Sequence, residues 1–359
     1  MTSASDALQL RHGRALPNRL ALAPMTNLQS YPDGTLSDTE ITWLEARARG
    51  GFGLVMTAAA FVHRAGQAWP GQLGVSSDKY LPELTRLADA LRSAGAVSAV
   101  QLHHGGLRAD AAASGLPLVG PWAEEDSGAR ALTTGEVYRV VEEFADAAAR
   151  AERAGFDGVE VHGAHGYLLC QFLDAEHNLR EDGYGGDAAG RARVIHEVVE
   201  AVRARTGPEF QLGLRLSPER FGVRLDEMVT LTTDVLASGR VDYLDLSLWD
   251  VRKRPEGAGE GVPRLLDHFL GLPRHGTALG VAGLVTGTED VRELLDAGVD
   301  LVFVGKGAIA DQAFARGVLG SASYRAPEFP VTRGHLRAQL LGEPFVEYFS
   351  TKWPHLVKG

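Results

Sequence analysis

The segment GFDGVEVHGAHGYLLCQFLD, residues 155–174, decides how the rest of the chain is read. Gly158 to Val161 reads as a short buried strand that runs straight into two imidazoles and a phenol, His162, His165 and Tyr167, separated by glycines. Seven other stretches share its apolar character: RLALAPM (19–25), GLVMTAAAF (53–61), AVSAVQLHH (96–104), QLGLRLS (211–217), DYLDLSL (242–248), TALGVAG (277–283) and LVFVGKG (301–307). Each is apolar at consecutive rather than alternating positions, the pattern of strands covered on both faces.

Helical segments lie between these runs. Ser37-x-x-Glu40 precedes ITWLEARARG, and Thr133-x-x-Glu136 precedes VYRVVEEFADAAARAERAG. Both fit a capping box, in which side chains at the first turn satisfy two orphan backbone donors reciprocally. The second helix closes on Gly155, and VIHEVVEAVRARTG and TEDVRELLDAG also close on Gly. Eight buried strands alternating with helices predict a parallel sheet closed into a (β/α)8 TIM barrel. A doubly wound sheet would carry a Gly-rich turn after its first strand, and APMTNLQS has none. The expectation is one domain over residues 1–359, with a barrel core of about 18–318, a longer loop at 105–133 and a tail at 319–359.

Composition narrows the class further. The 359 residues are 45% hydrophobic and 23% charged, with a net charge of −10 spread among arginines rather than gathered in a tail. An acidic, mixed surface lacks the basic footprint of a nucleic-acid binder. The single cysteine, Cys170, excludes an internal disulfide, a Cys-ligated zinc site and an iron–sulfur cluster. The first twenty residues show no apolar signal core, and no run is long enough to span a membrane, so a soluble, cytoplasmic protein is expected.

In such a barrel, chemistry sits at the C-terminal ends of the strands. Those ends carry Pro24, Met25 and Thr26; Gln101, His103 and His104; His162, His165 and Tyr167; Arg215; Gly283; and Gly305-Lys306-Gly307. Glycines after strands 7 and 8 let backbone N–H groups approach a phosphate, and Lys306 adds a compensating charge. Arg215, mid-strand, needs either an anionic ligand or a carboxylate such as Glu160. Gln101 is suited to reading the edge of a heterocycle. The His-x-x-His pair is open to three readings: ligand-binding donors, hydrogen-bonded rim residues, or a metal site completed by His103, His104 or Glu160.

APMT, QLHHGG and HGAHGYLLCQFLDAEHNLREDGYGGDAAGRAR, with VAGLVTGTEDVRELLDAGVDLVFVGKGAI near the end, resemble the old yellow enzyme family of FMN-dependent ene-reductases over about residues 10–320. The resemblance implies FMN across the barrel mouth, reduced by NADH or NADPH, and hydride delivery to an enone-type small molecule. By that resemblance Pro24, Met25, Thr26 and Ala59 line the flavin, Gln101 meets its pyrimidine, and Arg215 stands at its N1/O2 edge. Gly283, Gly305 and Lys306 hold the phosphate, His162 and His165 bind the substrate carbonyl, and Tyr167 protonates its α-carbon. No metal is implied. Most members have Arg where this chain has Lys306, and Leu28 stands where some carry a substrate-contacting Tyr, leaving Tyr31 as the nearby phenol. The alternatives are a flavin reductase acting on quinones or nitro compounds, a catalytically idle flavin-binding barrel, and a metal-dependent hydrolase using the histidines. The aromatic tail EPFVEYFSTKWPHLVKG is expected to pack on outer helices, with an interface or partial lid as the alternative; oligomeric state is left open.

Overall fold

Eight parallel strands close into a barrel in a computed structural model that describes residues 2–259 and 261–358. They are β1 (Leu20–Leu22), β2 (Leu54–Phe61), β3 (Val97–His103), β4 (Gly158–Gly163), β5 (Gln211–Leu216), β6 (Tyr243–Ser247), β7 (Ala278–Ala282) and β8 (Leu301–Val304). Each strand pairs with its sequence neighbours, and β8 closes on β1. All eight fall inside the apolar runs read from the sequence, and every strand residue is buried.

The main helices cover the barrel: α1 (Asp38–Arg49), α2 (Leu81–Ser93), α3 (Thr134–Arg153), α4 (Ala188–Arg205), α5 (Leu225–Ser238) and α6 (Thr288–Asp296). On α3 the buried positions Val137, Val140, Val141, Phe144, Ala147, Ala148 and Ala151 recur at the helical period and face inward. Its capping box forms in full, Thr133 with Glu136. The box expected at α1 forms only by half. The Ser37 hydroxyl accepts from the Glu40 amide, but the Glu40 carboxylate turns inward, accepting from Asn27 Nδ2 at 2.8 Å and Ser30 Oγ at 2.5 Å. A fully buried carboxylate takes the strongest donors within reach, and these belong to the loop after β1.

The barrel interior alternates bulky and small side chains. Tyr243 and Phe303 lie beside Ala21, Ala99 and Ala278, and the N-terminal Leu8, Leu10 and Leu16 plug the bottom. At Gly213 a methyl group would stand 2.2 Å from the Tyr243 ring, so the ring occupies the space that glycine leaves. The long loop carries a two-stranded ladder, Val119–Gly120 on Arg130–Ala131. In the tail, a helix at Glu343–Lys352 sets Phe345 edge-on to Trp43 of α1 at 5.4 Å, the packing on an outer helix that the sequence suggested. No helix among the described residues is long and apolar enough to cross a membrane.

Candidate active site

Strand register brings the polar residues into one ring. Ala59 pairs with Gln101, Gln101 with Glu160, His162 with Arg215, and Arg215 with Asp245. A bulge between Met56 and Ala59 turns β2, and the Thr57 hydroxyl accepts from the Gln101 amide at 3.2 Å. Neighbouring strands thus place the residues around the mouth at matching heights.

The turn after β4 is wound tightly: His165 and Gly166 have φ of 62° and 70°. Its geometry is fixed by the Ser217 hydroxyl, which accepts from the His165 amide at 3.0 Å, and by Arg108, which donates to the His165 carbonyl. The result is a cluster of rings, with Tyr167 centred 4.4 Å from His103 and 5.3 Å from His162, and His162 centred 5.0 Å from His165.

Hydrogen bonding assigns the tautomers. His162 Nδ1 accepts from the Ala164 amide at 3.2 Å, so its proton is on Nε2, which faces His165 Nδ1 at 3.3 Å. His165 Nε2 then donates to Ser247 Oγ at 2.7 Å, and Arg215 Nη2 donates to the same oxygen at 3.4 Å. Gln72 Nε2 donates to His103 Nδ1 at 3.0 Å, leaving the buried His103 Nε2–H without a partner among the described residues. Burial holds all three imidazoles well below the usual histidine range, helped by neighbouring imidazoles and by the positive charges of Arg215 and Arg108. They are neutral donors at neutral pH. Burial pushes the Tyr167 phenol upward, and the cation of Arg108, 4.8 Å above its ring, works against that rise.

Arg215 is paired with Asp245, Nη1 to Oδ2 at 3.2 Å, rather than with Glu160 as considered from the sequence. Among the described residues its Nε and Nη1 still lack a hydrogen-bond acceptor. Pro24, Met25 and Thr26 lie half-buried just beyond β1, and β8 ends at Val304, so Gly305 and Lys306 begin the short helix that follows. A methyl group at Gly305 would meet only Met25 Sδ at 3.6 Å, so nothing in the protein demands glycine there. That openness suits a ligand's approach to the backbone. Gly283 differs: a methyl group would come within 2.9–3.0 Å of the backbone of Trp249, Asp250 and Val251, so the loop after β6 already explains it. Lys306 forms no ion pair among the described residues. Unspent donors at Arg215, an open Gly305 and an unpaired Lys306 fit an anionic heterocycle carrying a phosphate, as FMN is.

Several site residues escaped the sequence reading. Arg108 comes from the turn just after β3 and Trp69 from the loop after β2, the latter centred 6.4 Å from Tyr167, while Trp249 flanks His165 at 6.0 Å. Tyr348 of the tail helix lies beside Thr26 and Tyr167, so the tail reaches the mouth as well as the outer helices. Tyr31 is largely exposed, at 55%. Asp245 and Ser247 did leave a signal, since polar residues inside the apolar run DYLDLSL have no reason to be there unless something faces them. Among the described residues no group of three or more His, Cys, Asp or Glu side chains is placed to hold a metal ion.

An FMN-type flavin barrel is what this fold and ring of donors define. Residues 8–319 match the NADH:flavin oxidoreductase / NADH oxidase family, and the chain belongs to it. It is 35% identical over 317 residues to the probable NADH-dependent flavin oxidoreductase YqiG of Bacillus subtilis, covering 85% of each chain. It is 33% identical to the NADPH dehydrogenase of Listeria innocua, covering 84% of this chain and 90% of that one. Among solved structures, morphinone reductase in complex with tetrahydroNAD superposes with a TM-score of 0.77 at 27% identity, over 97% of both chains. The protein is therefore an FMN-dependent oxidoreductase of the old yellow enzyme family that draws on NADH or NADPH.

Proposed function

We propose that the chain is an ene-reductase for small activated alkenes whose double bond is conjugated to a carbonyl. When bound, FMN reduced by NADH or NADPH supplies the hydride that adds to the β-carbon. Pro24, Met25, Thr26, Ala59, Gln101 and Arg215 are the residues to hold its ring, and Gly305 and Lys306, with Gly283, its phosphate.

The protein's own contribution is to hold the carbonyl and deliver a proton. The observation that carries the reading is the neutral His162–His165 pair, whose mutual hydrogen bond of 3.3 Å is long and readily exchanged for a stronger acceptor. A carbonyl oxygen takes the Nε2–H of His162. For His165 to donate as well, its proton has to move to Nδ1, and Ser247 permits this because a hydroxyl can donate to Nε2 as easily as accept from it. Negative charge then grows on an oxygen already faced by two preorganised donors, which stabilises the enolate-like transition state. Tyr167, packed against His162 and His103, gives its phenolic proton to the α-carbon. Reduction of quinones or nitro compounds would leave Tyr167 without a role.

The test separates the two half-reactions. Anaerobic NADH or NADPH should bleach the flavin absorption, and cyclohexenone should restore it. His162→Ala should slow only the second step, by about 10²–10³-fold, and Tyr167→Phe should slow it while leaving bleaching intact. A Tyr167→Phe enzyme with an unaltered second step would overturn the proton-donor assignment.

A further inference from the structure

Directly below the mouth the barrel interior carries more acid than base. Glu160 on β4 and Asp245 on β6 are fully buried, and Arg215 on β5 is 4% exposed. The groups facing Glu160 are Asp245 and Tyr243 from β6, Arg215 from β5 and the neutral Gln101 from β3. Strands β1, β2, β7 and β8 turn apolar side chains inward, among them Ala21, Met56, Ala278 and Phe303. Asp242, which faces Tyr243 from the barrel floor, is already paired with Arg203 and His12.

The hydrogen bonds do not balance two carboxylates. Glu160 Oε1 accepts from Gln101 Nε2 at 2.8 Å, and among the described residues Oε2 has no hydrogen-bond partner, the nearby Tyr243 hydroxyl being itself unbonded. Among the described residues neither oxygen of Asp245 receives a hydrogen bond, and its one ion pair is with the guanidinium 3.2 Å away. With both acids ionised, a dry interior would hold two negative charges against one positive. Burying an uncompensated carboxylate costs far more than binding a proton. One proton gives a neutral acid, an anion and a cation, which closes the balance.

We propose that Glu160 and Asp245 hold one proton between them, resident on Glu160, and that this pair positions Gln101 and Arg215 for the flavin. The functional half rests on the assignment of Gln101 and Arg215 to the flavin made above. Glu160, as a neutral acid, anchors the amide end of Gln101 without adding charge. Asp245, as the anion, fixes the Arg215 fork and takes up part of its charge. Both are positioning residues, acting through the side chains that would touch the cofactor. Burial, joined at Glu160 by the charge of Asp245, pushes both carboxyls upward, Glu160 the further, in keeping with the proton's place.

The protonation half is tested without flavin. A group whose folded pKa is raised stabilises the fold at low pH and loses that contribution as pH rises through its folded value. Urea unfolding of the apoprotein should show this loss from mildly acidic to alkaline pH in the wild type and a flatter profile in Glu160→Gln, whose amide mimics the neutral acid. An unchanged pH slope in Glu160→Gln would overturn the proposal. Should that variant fail to fold, the infrared spectrum of the wild type decides: a protonated-carboxyl stretch that disappears at alkaline pH is expected, and no such band at any pH would sink the idea. The positioning half is read from the flavin midpoint potential and from FMN binding to the apoprotein. Asp245→Asn combined with Glu160→Gln, which leaves no acid against Arg215, should raise the potential and tighten FMN several-fold. Glu160→Gln alone at neutral pH should leave the potential unmoved, and a rise would mean Glu160 is ionised. If instead Arg215→Met leaves FMN affinity and potential unchanged, the flavin assignment of Arg215 fails while the shared proton, read from the apoprotein, stands.

Discussion

The two ends of the barrel treat their acids in opposite ways. At the bottom, Asp157, Asp242 and Asp300 each stand just before an even-numbered strand, and each carboxylate accepts the backbone N–H of the second residue of the preceding strand. The bonds are to Ser98 at 2.8 Å, Leu212 at 2.7 Å and Leu279 at 2.9 Å. Arg14, Arg203 and Arg274 supply the compensating charges. At the mouth, Glu160 and Asp245 keep bare oxygens, Arg215 and His103 keep bare donors, and the loops hold Leu28, His165, Arg220, Phe221, Trp249 and Leu284 at positive φ. Non-glycine residues there cost of the order of 1–3 kcal/mol each. At the bottom the three carboxylates are all bonded, and the exceptions among the described residues are fewer: bare donors at Arg19 Nε and Arg274 Nη1, and His275 at positive φ. The top is unsatisfied and strained, as an end preorganised for a ligand should be.

Breaking the bottom should therefore cost folding and spare chemistry. Asp242→Ala strips the Leu212 amide, the His12 amide and the Arg203 guanidinium of their shared acceptor in a fully buried place. A loss of about 3–5 kcal/mol is expected, read from urea unfolding. Flavin reoxidation by enone, per folded molecule, should be unchanged. The mouth variant His162→Ala should show the converse, with the large loss in reoxidation given above and stability within about 1 kcal/mol of the wild type. A His162→Ala protein as destabilised as Asp242→Ala would erase the distinction between the ends.

A subtler change sharpens the comparison at the top alone. Ser247→Ala removes the hydroxyl that lets His165 exchange its tautomer while keeping His165 itself. Losing the outer hydrogen-bond partner of a functional histidine typically costs roughly tenfold or more. We expect roughly a tenfold slower reoxidation by enone with reduction by NAD(P)H untouched. Equal slowing of both halves in stopped-flow absorbance would place Ser247 with the flavin through Arg215 rather than with the substrate.

Much of this contrast could be read in the chain. The eight apolar runs became the eight strands because burial on both faces leaves a continuous signal, and the polar ends of those runs became the mouth. His162, His165, Tyr167 and Arg215 meet because parallel register carries each strand's last residues to one rim. The tail's Tyr348 and the loop's Arg108 and Trp69 had no such signal. Arg108 and Trp69 reach the site through the loops after β3 and β2, where side-chain direction follows no long-range period, and Tyr348 reaches it because the tail helix docks beside the mouth. Partner choice was also hidden. Arg215 had several acids within plausible reach, and only register shows that Asp245, its direct neighbour on β6, takes it.

The same limit appears in the two capping motifs, which are alike in sequence and opposite in structure. Glu136 is half-buried, bonded by Arg130 and the Thr133 amide, and these hold its carboxyl down at about 2. Glu40 is buried, and desolvation raises it despite donors from Ser30 and Asn27. Their contributions to stability should therefore have opposite pH dependence. Glu136, depressed below its ordinary 4.5, stabilises above that value and loses its effect as pH falls towards 2. Glu40, raised above 4.5, stabilises most at low pH and loses its effect as pH climbs through its elevated folded value. Glu136→Gln should flatten the acid limb of a stability–pH curve by on the order of 1 kcal/mol or less, the scale of a helix cap. Glu40→Gln should flatten the opposite limb. Because Glu40 is also the anchor of the loop carrying Thr26, that change should weaken FMN binding to the apoprotein as well. Equal pH profiles in the two variants would show that the donors from Asn27 and Ser30 outweigh desolvation at Glu40, so that burial does not raise its carboxyl.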